Sequence, residues 1–237
     1  MKKKLNVVTL ATKSYIKIIN DYFLSTLPKD IENMKILYLN DMDNVRYSSA
    51  TKFLEKRKLE LLCKEIESNL GNNLFFIDGD VTFAYGVSFK QEINNILEEY
   101  DLAFQFNDDW YNFGVFAINC NAKTLKYFKH LLNHEIDKAI ENNKIHDQHL
   151  ANALLGVFPS NAGVEVNTEK QFKDIKHTSL PLKYFGNHFR NHKYPEGVPD
   201  DVVFIHATNT YTMEEKLNLL WNFKHHYYDL KRKPNEQ

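Results

Sequence analysis

The segment from Phe75 to Phe83, FFIDGDVTF, closes a short apolar run with Asp78-Gly79-Asp80. Two carboxylates separated by one residue, just past a buried strand, can hold one hard divalent cation. Mg²⁺ and Mn²⁺ sites typically take one or two protein carboxylates and complete their shell with water and substrate phosphate oxygens. An ion held in this way neutralises a diphosphate. The spacing alone does not choose the site, because Asp41-Met42-Asp43 repeats it after the apolar run Ile36 to Leu39. Asp and Gly also favour turns for conformational reasons, and Asp41 and Asp43 are read as such a turn.

Later segments offer partners for Asp78 and Asp80. In WYNFGVFAIN, Trp110 to Asn119, a turn carrying Asn112 and Gly114 is expected to lead into a strand. The turn would aim the Asn112 amide into a cleft, and Gly114 would let a ligand approach the backbone. His146-Asp147-Gln148 begins a helix. Asp147 is either its N-cap or, with Gln148, a grip on vicinal sugar hydroxyls. Phe204-Ile205-His206-Ala207 ends a strand in an imidazole. His206 is either a satisfied core histidine or a nitrogen ligand beside the two carboxylates, a mixed set that suits Mn²⁺ better than Mg²⁺. Lys216, in the closing helix, is a candidate phosphate partner. His130 and His134 lack the glutamate of a metalloprotease helix and read as a surface face.

The elements that must position these residues follow from periodicity. Leu5 to Leu10, Lys35 to Leu39 and Leu74 to Ile77 read as buried strands; Leu102 to Phe106, Val115 to Ile118 and Val202 to Ile205 as later ones. Helical spacing marks Tyr15 to Leu27, Thr51 to Leu70, Phe89 to Glu99, Ala122 to Asn142, Asp147 to Leu155 and Thr212 to Tyr228. In the second of these helices Phe53, Leu54, Leu61, Leu62 and Ile66 are expected on the core side, with Gly71 ending it. Strand–helix alternation through the first hundred residues predicts an α/β fold, with a doubly wound, mostly parallel sheet in a single domain. Ligands of such sheets lie beyond the carboxyl ends of the strands. Asp78 and Asp80 occupy such an end, as do Ala11, Thr12 and Asn40.

Composition excludes several classes. The 237 residues carry a net charge of −1, which argues against an electrostatically driven nucleic-acid binder. Cys63 and Cys120 are far apart and form no zinc pattern. No apolar run approaches the length of about 18 residues needed to span a membrane, and Leu5 to Leu10 is too short for a signal sequence. The expectation is a soluble, cytoplasmic protein. No G-x-G-x-x-G follows the first strand, and no phosphate-binding P-loop or G-x-S-x-G elbow occurs.

In order, TLATKSY, ILYLND, FFIDGDVTF, WYNFGVFAIN, HDQHLANALL and FIHATNTYTMEEK resemble the nucleotide-diphospho-sugar transferases of GT-A fold, especially small members related to plant and viral glycosyltransferases. The resemblance runs from about residue 5 to 222. It implies a nucleotide-binding half, 1–106, and an acceptor- and sugar-binding half, 107–237. Asp78 and Asp80 match the D-x-D that binds Mn²⁺ (or Mg²⁺) and the diphosphate, with Gly79 between them, and His206 matches the histidine completing the metal shell. Thr9, Ala11, Thr12 and Tyr15 match the loop holding nucleobase and ribose. Asn112 and Gly114 match the N-x-G turn at the donor sugar, and Asp147 and Gln148 the D-Q pair near the reacting face. Lys58 or Lys52 matches a basic residue near the diphosphate. One departure is His206-Ala207-Thr208-Asn209, where relatives place glycine soon after the histidine; this loosens the assignment of Lys216 to a phosphate.

The implied activity is metal-dependent transfer of a hexosyl group from a UDP-sugar to a hydroxyl of a glycan, glycoprotein or other acceptor, with retention of configuration. Asp108, Asp109 and Asp147 leave inversion open, since each can serve as a base. The loops 158–167 and 183–199, the latter with Tyr184, Phe185, His188, Phe189 and Tyr194, are expected to shape the acceptor pocket. Two other classes compete: a metal-dependent phosphodiesterase or nucleotidyltransferase, and a non-catalytic sugar-nucleotide-binding module.

Overall fold

Strand β1 (Leu5–Ala11) buries Leu5, Val7, Val8, Thr9 and Ala11. A bent helical segment follows as Lys13–Tyr15, α1 (Ile16–Ile18) and a π-helical stretch, Ile19–Leu24. The sequence predicted one regular helix here. The β-branched run Ile16, Ile18, Ile19 crowds the preceding turn, and Thr26 bonds back to the Tyr22 carbonyl. The Thr26 hydroxyl also accepts the Phe83 N–H at 3.0 Å, tying this segment to a strand beneath it. Then come β2 (Met34–Tyr38), α2 (Thr51–Ser68), β3 (Asn73–Ile77), β4 (Val81–Phe83), α3 (Lys90–Glu99), β5 (Leu102–Asn107) and β6 (Trp110–Asn119). The chain continues through α4 (Ala122–His130), a π-helical turn Leu131–Glu135, α5 (Ile136–Glu141), α6 (Asp147–Leu154), β7 (His177–Ser179), β8 (Tyr184–Gly186), β9 (Phe204–His206), α7 (Met213–Phe223), a π-helical stretch Lys224–Asp229 and α8 (Leu230–Arg232). The computed structural model describes residues 3–39, 51–107, 110–141, 146–157, 172–186, 198–208, 210 and 212–232.

A sheet of six strands, in the order β2-β1-β3-β6-β5-β7, forms the centre of the fold. All its strands but β6 point the same way, and β6 runs antiparallel between β3 and β5. The expected mostly parallel α/β sheet in a single domain is what the structure shows. Both faces are covered, which explains why β3 is buried at every position. Leu74 and Phe76 face a core with Leu62 and Ile66 of α2, Phe128 of α4 and Leu150 of α6. Phe75 and Ile77 face the opposite core with Phe23, Ile93 and Leu97.

A second, three-stranded sheet, β4-β9-β8, packs on this second side and has no counterpart in the sequence reading. Tyr184, expected in a loop, belongs to its strand β8 and is 1% exposed. His188, Phe189 and Tyr194 lie outside the described residues, as do Asn40, Asp41, Asp43, Asp108, Asp109 and the loop 158–167.

Three other expectations are corrected. Phe53 is 57% exposed rather than buried, while Leu59 and Cys63 join Leu62 and Ile66 on the inner face of α2. His130 is largely buried against Glu135, so only His134 fits a surface face. Asn112 and Gly114 lie within strand β6, not in a turn before it, because β5 pairs with Trp110–Asn112 as well as with Phe116–Ile118, the register shifting between Phe104 and Gln105 so that 113–115 are bypassed. Gly71, three residues past the end of α2, takes φ 85°, the left-handed conformation expected of a glycine after a helix, but donates to the Cys120 carbonyl rather than back to α2.

Candidate active site

Asp78-Gly79-Asp80 is the segment between β3 and β4, and therefore the point where the chain leaves the large sheet for the small one. Register fixes both sides. Ile77 pairs with Val115 in the large sheet, and the next amide, Asp78 N, donates to the Gly114 carbonyl at 2.7 Å. Val81 pairs with His206 in the small sheet, and the Asp80 carbonyl accepts from Ala207 N at 3.0 Å. A side chain at Gly79 would meet Ile19, its Cβ lying 2.7 Å from Cγ1, so the turn between the carboxylates must be this thin.

These pairings bring Asp78, Asp80 and His206 together with candidate ligand atoms all within 4.8 Å of one another. His206 Nε2 lies 3.4 Å from Asp80 Oδ1 and 3.9 Å from Asp78 Oδ2. The other imidazole nitrogen, Nδ1, is 2.9 Å from Gln105 Oε1, while the Gln105 amide Nε2 donates to the Tyr184 carbonyl at 2.9 Å. That second bond fixes which end of Gln105 faces the ring. The oxygen accepts, so Nδ1 donates to Gln105 and Nε2 is the nitrogen turned toward the carboxylates. Orienting a ligand imidazole through its far nitrogen is how proteins commonly set a metal site. Gln105 was not singled out in the sequence. Its only signal there is a polar residue inside the buried run LAFQFN.

Gly114 completes the cradle. A Cβ at this position would fall against Asp78 Oδ2, 2.8 Å from His206 Cε1 and 2.9 Å from Asn112 Oδ1. A donor set of two carboxylates and one imidazole, around a space that a single methyl group would fill, fits a divalent cation of the Mn²⁺ or Mg²⁺ type. Burial pushes the Asp78 carboxyl above its ordinary range, and the nearby Asp80 and Asp147 carboxylates add to this against the pull of Lys58 and His206. Such a carboxylate gains from a bound cation.

A cavity of about 240 Å³ opens over this cluster, lined also by Lys58, Asn112, Phe113, Gly114, Asp147, Gln148 and Thr208. Asn112 Oδ1 accepts from Gly114 N at 2.6 Å, and Gln148 Oε1 accepts from Phe113 N at 3.1 Å, so both amides are held against the strand edge. Asp147 is not the N-cap of α6; His146 precedes the helix, and Glu55 of α2 bonds His146 Nδ1 at 2.7 Å and Asp147 N at 3.2 Å. A carboxylate from α2 thus serves the helix N-terminus, and Asp147 faces Lys58 instead, Oδ2 to Nζ at 2.8 Å. Lys58 also donates to the Phe113 carbonyl at 3.0 Å and lies over the Phe113 ring. Burial favours the neutral amine, but Asp147 and then Asp78 outweigh it and hold the Lys58 pKa above its ordinary value.

Six expected residues stand elsewhere. Thr9 is fully buried at the middle of β1, and Ala11 closes that strand at 2% exposure. Thr12 bonds Ser14, its Oγ1 3.0 Å from the serine hydroxyl, and Tyr15 packs on a small cluster with Ile18 and Ala207. None of these four, nor Gly79, lines the cavity. Lys216 is wholly buried, with its ammonium on the Asp80 carboxylate and on the Ala207 carbonyl at 2.6 Å. As placed, it presents no surface to a phosphate. Nothing is described of the Lys52 side chain, and Lys58 is the lysine that reaches the cavity.

Comparison with known proteins finds the same fold elsewhere. A glycosyltransferase involved in glycosylation of the major capsid of PBCV-1 shares the fold at TM-score 0.50 and 13% identity, over 91% of this chain and 99% of its own. The glycosyltransferase GlyE of Streptococcus pneumoniae TIGR4 shares it at TM-score 0.54 and 15% identity, over 95% of this chain and 64% of its own. No curated protein matches by sequence. Among the described residues, no helix is long and apolar enough to cross a membrane. The profile of the nucleotide-diphospho-sugar transferases matches residues 43–220, a span that holds Asp78, Asp80, Asn112, Gly114, Asp147, Gln148 and His206. On that match the chain belongs to the nucleotide-diphospho-sugar transferase family, with the GT-A fold of a glycosyltransferase.

Proposed function

We propose that the protein is a metal-dependent hexosyltransferase that takes the sugar of a UDP-sugar to a hydroxyl of a glycan, glycoprotein or other acceptor, with retention of configuration. The observation that carries this reading is the convergence of Asp78, Asp80 and an Nε2-presenting His206 around the missing side chain of Gly114. Asp78, Asp80 and His206 would hold Mn²⁺ or Mg²⁺. The ion would supply Lewis-acid stabilisation for negative charge on the departing UDP. Lys58 adds fixed positive charge to the same cavity. The bond from the anomeric carbon to the diphosphate oxygen breaks with its electron pair leaving on UDP. The acceptor oxygen forms the new bond, and its proton passes to the leaving diphosphate.

Asn112 and Gln148 offer amide groups for sugar hydroxyls at the cavity wall. Retention is supported by Asp147. A base for inversion must be ready to take the acceptor proton, and the Asp147 carboxylate is engaged by Lys58. Phosphodiester chemistry on two metals would want a second set of acidic ligands; one group, of two carboxylates and an imidazole, gathers among the described residues.

The test incubates the protein with Mn²⁺ and a panel of nucleotide sugars and follows UDP release. UDP release from at least one UDP-sugar, dependent on Mn²⁺ and lost in Asp80→Ala, is expected. Absence of binding or turnover of every sugar nucleotide, or turnover that survives Asp80→Ala, overturns the reading.

A further inference from the structure

Lys216 has no role in the chemistry above, yet it is the one lysine among the described residues with no exposed surface that touches the Asp pair. A buried ammonium is costly unless it is paired and hydrogen-bonded. Its position is fixed from the helix start. Thr212 caps α7 by accepting from Glu215 N at 3.1 Å, and Lys216 N reaches the Thr212 carbonyl at 3.2 Å. From there Nζ meets the Ala207 carbonyl at 2.6 Å and the Asp80 oxygen Oδ2. The other oxygen, Oδ1, is the one turned toward His206 Nε2. Asp80 therefore offers the cradle one oxygen, and its charge is already matched. Around the cavity the carboxylates of Asp78, Asp80 and Asp147 stand against the ammonium groups of Lys58 and Lys216, three negative charges less two positive. A divalent cation arriving alone meets a net charge of only −1, with a fixed like charge behind one of its ligands.

Building on the metal-site reading above, we propose that Lys216 is a positioning residue that makes cation binding depend on the nucleotide. It restricts Asp80 to a single ligating oxygen and cancels its charge. The site then takes Mn²⁺ weakly until a diphosphate brings further anionic oxygens into the same shell. The coupling is reciprocal, so UDP is held weakly until the cation is present.

Calorimetric titration of the wild-type protein with Mn²⁺, with and without saturating UDP, tests the coupling. An affinity on the order of tenfold or more higher with UDP is expected. Equal affinity in the two titrations overturns the proposal. Lys216→Met, which keeps the apolar stem and removes the charge, is expected to bind Mn²⁺ alone on the order of tenfold more tightly than wild type and to lose most of the UDP effect. Its melting temperature is expected to rise more on Mn²⁺ addition than that of wild type, since the ion then faces an Asp80 with no ammonium behind it. The gain is expected to vanish in an Asp80→Asn background, as a pairwise coupling requires. A folded Lys216→Met protein that binds Mn²⁺ alone no better than wild type overturns the proposal, and where this variant does not fold, Lys216→Gln, which also removes the charge, is read by the same titration with the same two outcomes. Wild-type protein that takes up no Mn²⁺ under either condition refutes the metal site itself, and this inference falls with it.

Discussion

His206 Nδ1 is hydrogen-bonded to Gln105 Oε1 at 2.9 Å, across 101 residues of sequence. This contact decides which imidazole nitrogen faces Asp78 and Asp80. Gln105→Leu frees the ring to adopt the other tautomer and also strips the Tyr184 carbonyl of its donor. Mn²⁺ affinity in the presence of UDP is expected to fall by about 10–100-fold, read by calorimetry. The unsatisfied carbonyl is expected to cost about 1–3 kcal/mol of stability, read by urea unfolding. Unchanged Mn²⁺ affinity in a folded variant would show that Gln105 does not orient the ligand.

Gly114→Ala places a methyl group among Asp78, Asn112 and His206. Overpacking of this kind costs about 1–3 kcal/mol, and the methyl group displaces two of the three proposed metal ligands, Asp78 and His206. Loss of Mn²⁺-dependent UDP release by at least about a hundredfold is expected, with far-ultraviolet circular dichroism unchanged. Gly79→Ala, which strikes Ile19 rather than a ligand, is expected to reduce melting temperature more than Gly114→Ala does. The reverse order would contradict the assigned geometry.

The Lys58–Asp147 pair is nearly buried, with side chains 13% and 8% exposed. Removing one partner leaves an uncompensated charge. Lys58→Met is therefore expected to lose about 3–5 kcal/mol, and Lys58→Met with Asp147→Leu to recover most of it, by denaturant titration. Both proteins are expected to lose activity, because each lacks groups that line the cavity. Equal stability of the single and double variants would show that the pair is not coupled.

Asp101 gives a pH-dependent contribution to stability away from the cavity. Burial raises its pKa, but the Lys123 ammonium, the Lys176 amide and the Asn121 side chain outweigh this and hold it below the ordinary value. A depressed folded pKa means stability that is fully present above the unfolded pKa, about 3.9. It is lost as pH falls through the folded value. Asp101→Asn is expected to be less stable than wild type by about 1–2 kcal/mol at neutral pH, with the gap closing below about pH 4. Melting temperatures of the two proteins across pH 2–7 check this; a gap that widens on acidification would refute it.

Local signals carried much of the architecture. Apolar runs marked β1, β2, β3 and β5, and helical spacing marked α2, α3 and α6, because each pattern reports burial on a face set by its own backbone period. They did not mark β8 or place β9 in a second sheet, since strands of three residues carry too little period to read. The long π-helical interruptions were equally invisible, as they leave the spacing of apolar residues almost unchanged.

The same division holds at the site. The sequence by itself supplied the residue types: Asp78 and Asp80 after a buried strand, an Asn112–Gly114 pair, Asp147–Gln148 and a strand-borne His206. Whether His206 is a core histidine or faces the carboxylates was decided by register, Ile77 on Val115 and Val81 on His206. So was the role of Gly114, whose missing Cβ matters only once Asp78 is opposite. Lys216 pointed to a phosphate by its charge and order, and tertiary packing turned it onto Asp80, 136 residues away. The physical reason is common to all three. Strand and helix periods are local and survive in a linear reading. The meeting of distant side chains depends on strand pairing and helix packing between segments remote in sequence, which the folded chain alone fixes.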